Sequence, residues 1–131
     1  MLNNQGGVAL FRGDYQQTVE LCRQGLAFAQ PISVHAARAS WFFTGEAFYH
    51  QGLLAESKSS YEQSLILSEK VGNLRHNGRT LIRLGQVACA QGDLAQANTL
   101  FKKGLMIVTE SNDLVGSSMA LIGLARMAAH P

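Results

Sequence analysis

The stretch AQGDLAQANTLF, residues Ala90–Phe101, carries a single interruption in an otherwise helix-friendly run. Gly92 tolerates a positive φ and lets the chain reverse sharply. Asp93 then offers a carboxylate to the free amides at the start of a new helix. Leu94, Ala97 and Phe101 follow at spacings of three and four, which place them on one helix face. The stretch therefore reads as the hinge of a helical hairpin.

The hinge recurs. Gln51–Gly52 lies forty residues before Gln91–Gly92, and Arg12–Gly13 a further thirty-nine before that. Aligned on these glycines, an upstream column holds Gly6, Gly45 and Gly85, with Ala125 in the fourth place. Four residues before each stands a large apolar residue: Leu2, Trp41, Leu81 and Leu121. Downstream, Thr18, Ser57 and Ala97 form a small column, and Cys22, Tyr61 and Phe101 fill the column four residues on. Gly25, Ser64 and Gly104 follow, each succeeded by Leu26, Leu65 or Leu105. Small residues let two helices approach, and the large columns are expected to fill the spaces between them. Asp14 and Asp93 cap the helix after the hinge, whereas Leu53 in the middle copy has no capping side chain.

This register predicts first helices near residues 2–12, 33–50, 74–91 and 114–129, and second helices near 15–30, 54–71 and 94–110. The connectors Gln30–Pro31, Gly72–Asn73 and Asn112–Asp113 carry turn and capping chemistry. With only one internal proline, helices can run almost throughout. The expectation is an all-α chain of about seven antiparallel helices stacked in pairs.

The order large apolar, Gly, turn Gly, small, aromatic, small, as in Trp41–Gly45–Gly52–Ser57–Tyr61–Ser64, resembles the tetratricopeptide repeat, and its best copy spans residues 78–109. The resemblance implies a right-handed α-α superhelix forming a single domain over residues 1–131, with repeats near 1–31, 32–72, 73–112 and an incomplete 113–131. The family's period is about thirty-four residues, against thirty-nine to forty here. The longer form is similar to the helical repeats of bacterial signalling regulators, such as the maltose-regulator class of LuxR-type activators. A solenoid end needs a polar outer face, yet MALIGLARMAAHP is amphipathic with no closing helix after it. The chain is therefore expected to be a piece of a longer protein, or to pack its uncovered terminal helices on another copy as a homo-oligomer.

Composition narrows the function classes. Hydrophobic residues make up 47% of the 131 and charged residues 15%, which argues against disorder. The net charge is only +2 and Lys102–Lys103 is the only adjacent basic pair, so the footprint for nucleic acid is missing. The N-terminus has no basic start and its apolar run is only VALF, too short for a signal peptide; nothing downstream approaches a membrane span. Cys22 and Cys89 read as small core residues of a reducing compartment. A cytoplasmic protein is the default expectation.

No motif points to catalysis. GxxxxGK[ST], HExxH and GxSxG are all absent. His35, His50, His76 and His130 are scattered, and none are paired at the four-residue spacing a zinc site prefers. Asp14, Asp93 and Asp113 fall at turns and read as caps, while Glu20, Glu56, Glu62, Glu69 and Glu110 fit solvated faces. Glu46 stands apart, on the side of its helix away from the packed column. No catalytic residue, metal or cofactor is expected.

What remains is recognition by shape. First helices of stacked pairs line a concave groove, and the register puts Asn3, Gly7, Phe42, Phe43, Glu46, Tyr49, Arg79, Ile82, Arg83, Gln86, Ile122 and Arg126 on it. Arg79 and Arg83 project from one face four residues apart. Phe42 and Tyr49 flank them from the neighbouring helix, and Gln86 and Arg126 extend the polar strip. Two arginines beside aromatic rings suit a carboxylate or an acidic extended peptide; alternatively the pair meets Glu46 and is merely solvated. Some tetratricopeptide domains clamp a peptide's C-terminal carboxylate with basic and asparagine side chains. Arg79 and Arg83 match two basic positions of that clamp, but Asn3 replaces a lysine, and Gly7 and Phe43 replace asparagines. The expected function is a non-catalytic scaffold for a protein or peptide partner in a bacterial transcriptional or signalling regulator. The alternative is a small-ligand, effector-sensing segment of a LuxR-type activator.

Overall fold

The hinge chemistry is realised as a repeated backbone motif. In the computed structural model, which describes residues 10, 12–29, 34–72 and 74–129, Gly52 and Gly92 adopt φ of +79° and +84°. At each, two hydrogen bonds close the preceding helix. The Gly52 amide donates to the Tyr49 carbonyl (3.0 Å) and that of Leu53 to the Phe48 carbonyl (2.9 Å). Forty residues on, Gly92 donates to Cys89 (3.0 Å) and Asp93 to Ala88 (2.9 Å). The same pattern closes the connector after residue 110, where Asn112 takes the left-handed conformation at φ 57° and Asp113 donates to the Val108 carbonyl (2.8 Å). Asparagine substitutes for glycine there because its short polar side chain tolerates that region.

Six α-helices result among the described residues: α1 (Tyr15–Ala29), α2 (Val34–His50), α3 (Leu54–Val71), α4 (Leu74–Ala90), α5 (Leu94–Glu110) and α6 (Leu114–Ala128). Each begins and ends within a residue or two of the position read from the sequence. The helix expected near residues 2–12, the connector Gln30–Pro31 and the groove positions Asn3 and Gly7 lie outside the described residues, Leu10 and Arg12 apart. No strand is found among the described residues, so the fold is all-α, built of antiparallel helix pairs.

Caps follow the sequence. The Gln17 amide donates to Asp14 Oδ1 (3.1 Å), the Gln96 amide to Asp93 Oδ1 (3.1 Å) and the Gly116 amide to Asp113 Oδ1 (3.0 Å). Leu53 makes no such bond, although its backbone (φ −87°, ψ 77°) is nearly that of Asp93 (φ −89°, ψ 78°). The geometry for a cap is in place and only the acceptor is missing. Leu53→Asp is therefore expected to raise the unfolding free energy by about 1 kcal/mol. Equilibrium urea denaturation checks this, and a midpoint unchanged or lowered would refute it.

The chain divides into two compact units, Met1–Gly72 and Asn73–Pro131. In the first, α2 packs on both α1 and α3. Tyr61 of α3 is fully buried with its ring against Gly45 of α2; a Cβ at Gly45 would lie 2.7 Å from that ring. The hydroxyl of Ser57 donates to the Gly45 carbonyl (2.8 Å) and that of Ser64 to the Arg38 carbonyl (3.1 Å). Small side chains thus bring the two helices close enough for hydroxyl groups of one to reach the backbone of the other.

In the second unit, α5 packs on α4 and α6. Phe101 is buried between Gly85 of α4 and Gly123 of α6, where an added Cβ would sit 2.8 Å and 2.6 Å from its ring. Ile82, Ala88, Ala97, Val108 and Ala120 complete this core. Burying a phenylalanine of this kind contributes roughly 1.5–3 kcal/mol. One column departs from expectation. Trp41 and Leu81 are half-buried, but Leu121 is exposed, because α6 meets α5 through Gly116, Ala120 and Gly123 and residue 121 lies outside that stripe.

Candidate functional site

The residues read as a recognition surface fall in both units, and each set takes its place within its own unit. On α2, Phe42, Glu46 and Tyr49 share a stripe, as their spacing of four and three requires. Phe42 is half-buried, its ring centroid 5.7 Å from that of Tyr61 and 6.1 Å from that of Phe43. Tyr49 is half-buried and meets His50 edge-on at 5.7 Å; His50 in turn stacks on Tyr15 of α1 at 5.1 Å.

Glu46 is corrected by the structure. It is buried rather than outward, and its carboxylate accepts a hydrogen bond from the Tyr61 hydroxyl. The cause is the Tyr61 ring lying across Gly45, which carries the hydroxyl to the next residue of α2. Phe101, the counterpart of Tyr61, has no hydroxyl, and the counterpart of Glu46 is the half-buried Gln86. A buried tyrosine hydroxyl needs an acceptor, and Glu46 provides it.

In the second unit, Arg79, Arg83 and Gln86 lie along one stripe of α4. Arg79 makes a two-pronged contact with Asp113 at the start of α6: Nε donates to Oδ2 (2.6 Å) and Nη2 to Oδ1 (2.8 Å). Arg83 Nη1 donates to Gln86 Oε1 (2.9 Å). Planar fork geometry of this kind fixes a guanidinium in orientation as well as position. Arg126 and Ile122 are exposed on α6.

Ile82 is the second correction. It was expected on the groove stripe, yet it is fully buried in the core, facing α5 where Gly104 leaves room for it. Position 82 precedes 83 by about 100° of helical rotation, enough to move it from the arginine stripe to the stripe of Gly78 and Gly85. Among neighbouring positions on one turn, burial is decided by where the partner helix lies, which the sequence register locates only to within a residue.

Two features escaped the sequence reading. Asp113 was recognised as a cap, and it is one, but its second role as the counter-ion of Arg79 links residues thirty-four apart and leaves no local signal. Arg38 is a further half-buried guanidinium, with Nε buried and lacking a hydrogen-bond partner, and burial lowers its pKa. Burial disfavours the thiolate form of both cysteines. Burial pushes the Cys22 thiol up to about 11, against the opposing hydrogen bond with Thr44, and raises that of Cys89 as well. Among the described residues no cluster of histidine, cysteine and carboxylate side chains is arranged to hold a metal, and no helix is long and apolar enough to cross a membrane.

The chain matches no curated protein sequence. A sequence model of the tetratricopeptide repeat, however, matches residues 40–110, more than half of the chain and the span that contains α3, α4, α5 and most of α2. Paired antiparallel helices, small residues at their crossings, an aromatic ring seated on Gly45 and on Gly85, and the recurring left-handed hinge are found within that match. On these grounds the chain belongs to the tetratricopeptide repeat family.

Proposed function

We propose that this chain is a non-catalytic scaffold that binds a protein or an extended peptide with acidic groups, within a bacterial transcriptional or signalling regulator of the cytoplasm. Repeats of this family generally mediate protein–protein interaction, and the second unit presents a surface suited to it. The observation that carries the reading is the ordered guanidinium stripe of α4. Arg79 is oriented by Asp113 and Arg83 by Gln86 before any partner arrives. Side chains fixed in advance lose little conformational freedom on binding, which favours affinity.

The two arginines differ in what they offer. The fork of Arg79 already holds a carboxylate, so an incoming acidic group must compete with Asp113 there. One partner of Arg83 is the neutral amide of Gln86, which a carboxylate displaces at lower cost than it does Asp113. Arg83 is therefore the principal contact and Arg79 its support. Fluorescence anisotropy against a panel of acidic peptides tests this. Arg83→Glu is expected to weaken binding about tenfold or more, whereas Lys58→Glu, an exposed change on α3, leaves it unaltered. Equal losses from both variants would mean that the attraction is only net charge. If small acidic or sugar-like effectors, and no peptide, raised the melting temperature in proportion to concentration, the sensor reading would replace the scaffold.

A further inference from the structure

We infer that α6 is a self-association surface, on which a second copy of this chain docks its own α6 antiparallel about a twofold axis through Ser118. The observation is an apolar stripe with an internal symmetry. Leu114, Val115, Leu121 and Ile122 are exposed at 79%, 59%, 55% and 51%, and the small Ser118 stands exposed at their centre. At 3.6 residues per turn these five positions lie within about 60° either side of Ser118. No charged residue interrupts the helix between Leu114 and Ala125.

The stripe is built for a helix. By the forty-residue register its Ser118 and Ile122 correspond to Gly78 and Ile82 of α4, which α5 covers. There α5 runs antiparallel, Gly78 meeting Val108 and Gly85 meeting Phe101. Which helix covers the face on α6 is indicated by the order of its residues. Reversed about Ser118, the stripe superposes apolar on apolar: Leu114 falls opposite the second copy's Ile122, and Val115 opposite the second copy's Leu121. A self-complementary patch of this sort is what an isologous dimer requires. Ser118 at the axis allows close approach, as small residues do at the other helix crossings of this chain.

Charge agrees with the same orientation. Exposed Glu110 ends α5 just before the turn into α6, and exposed Arg126 lies near the far end of the stripe. Antiparallel docking brings Arg126 to the end where the second copy's Glu110 stands, once on each side of the axis. A parallel arrangement would set like charges together at both ends.

Sedimentation velocity over a wide concentration series tests the inference, with circular dichroism to confirm that each variant keeps its helices. A monomer–dimer equilibrium is expected. Leu121→Glu and Ile122→Glu should each weaken it about tenfold or more, while Met106→Glu, an equally exposed apolar position on α5, leaves it unchanged. Arg126→Glu and Glu110→Arg each weaken the dimer, and the two together restore it. Ser118→Cys should form a disulfide-linked dimer under mild oxidation, since the axis places that residue beside itself. A strict monomer throughout the series overturns the proposal. So does a dimer that ignores Leu121→Glu, one that responds equally to Met106→Glu, or one in which Ser118→Cys fails to cross-link.

Discussion

Phe101→Ala is expected to lower the unfolding free energy by about 3–5 kcal/mol, a large share of the roughly 5–15 kcal/mol typical of a folded protein. The core around Phe101 is made of small and medium side chains: Ala88, Ala97 and Ala120 beside Ile82 and Val108. Glycine faces the ring from both sides, at Gly85 and Gly123. When the ring is removed, no side chain stands at those two positions to swing into the space. The partly buried Met119, Leu124 and Met127 pack against this core and fill the cavity only in part, so the cost falls within that range. Chemical denaturation followed by far-ultraviolet circular dichroism measures it, and a loss below 1 kcal/mol would show that the helices collapse freely. Phe101→Leu, which keeps most of the volume, is expected to lose less than half as much.

The second large effect comes from adding atoms. Gly45→Val is expected to cost about 2–3 kcal/mol, although valine is a better helix former than glycine by a few tenths of a kcal/mol. Even one added carbon lies 2.7 Å from the Tyr61 ring. That ring is held at its far end by the hydroxyl's bond to Glu46 and packs beside Phe42. It has no easy direction in which to yield. The same substitution in a Tyr61→Ala background should cost much less, since the two changes share one space and do not add. Equal costs in the two backgrounds would mean that the crossing is not governed by this contact.

These two positions also show how much the sequence disclosed. The hinge glycines, the aspartate caps and the aromatic columns are local signals repeated at a fixed interval, and repetition separates them from chance. Hence the helices and the burial of Tyr61 and Phe101 were legible. The candidate site was legible only in part. Arg79, Arg83 and Gln86 fall on one stripe by simple periodicity, and the structure finds them there. Ile82 and Glu46 were misread because each lies beside a correctly placed residue, one step of about 100° away. Deciding between adjacent stripes needs the partner helix in view. Asp113 was half-read for a different reason: capping is set by the next three residues, but the pairing with Arg79 depends on how α6 returns to α4.

The serines of α3 lead to a last consequence. Ser57, Ser60, Ser64 and Ser68 are all buried, where α5 places Ala97, Leu100, Gly104 and Val108 at the matching positions. Unfolding the first unit thus exposes buried hydroxyl groups, those of Ser57 and Ser64 bonded across the helix crossing to the Gly45 and Arg38 carbonyls and that of Ser60 to Glu56 of its own helix. Hydration of apolar surface raises heat capacity and hydration of polar surface lowers it. The hydroxyl-lined half of this protein therefore unfolds with the smaller heat-capacity increment per residue, and its hold on the folded state varies less steeply between cold and warm conditions than that of the half built around Phe101.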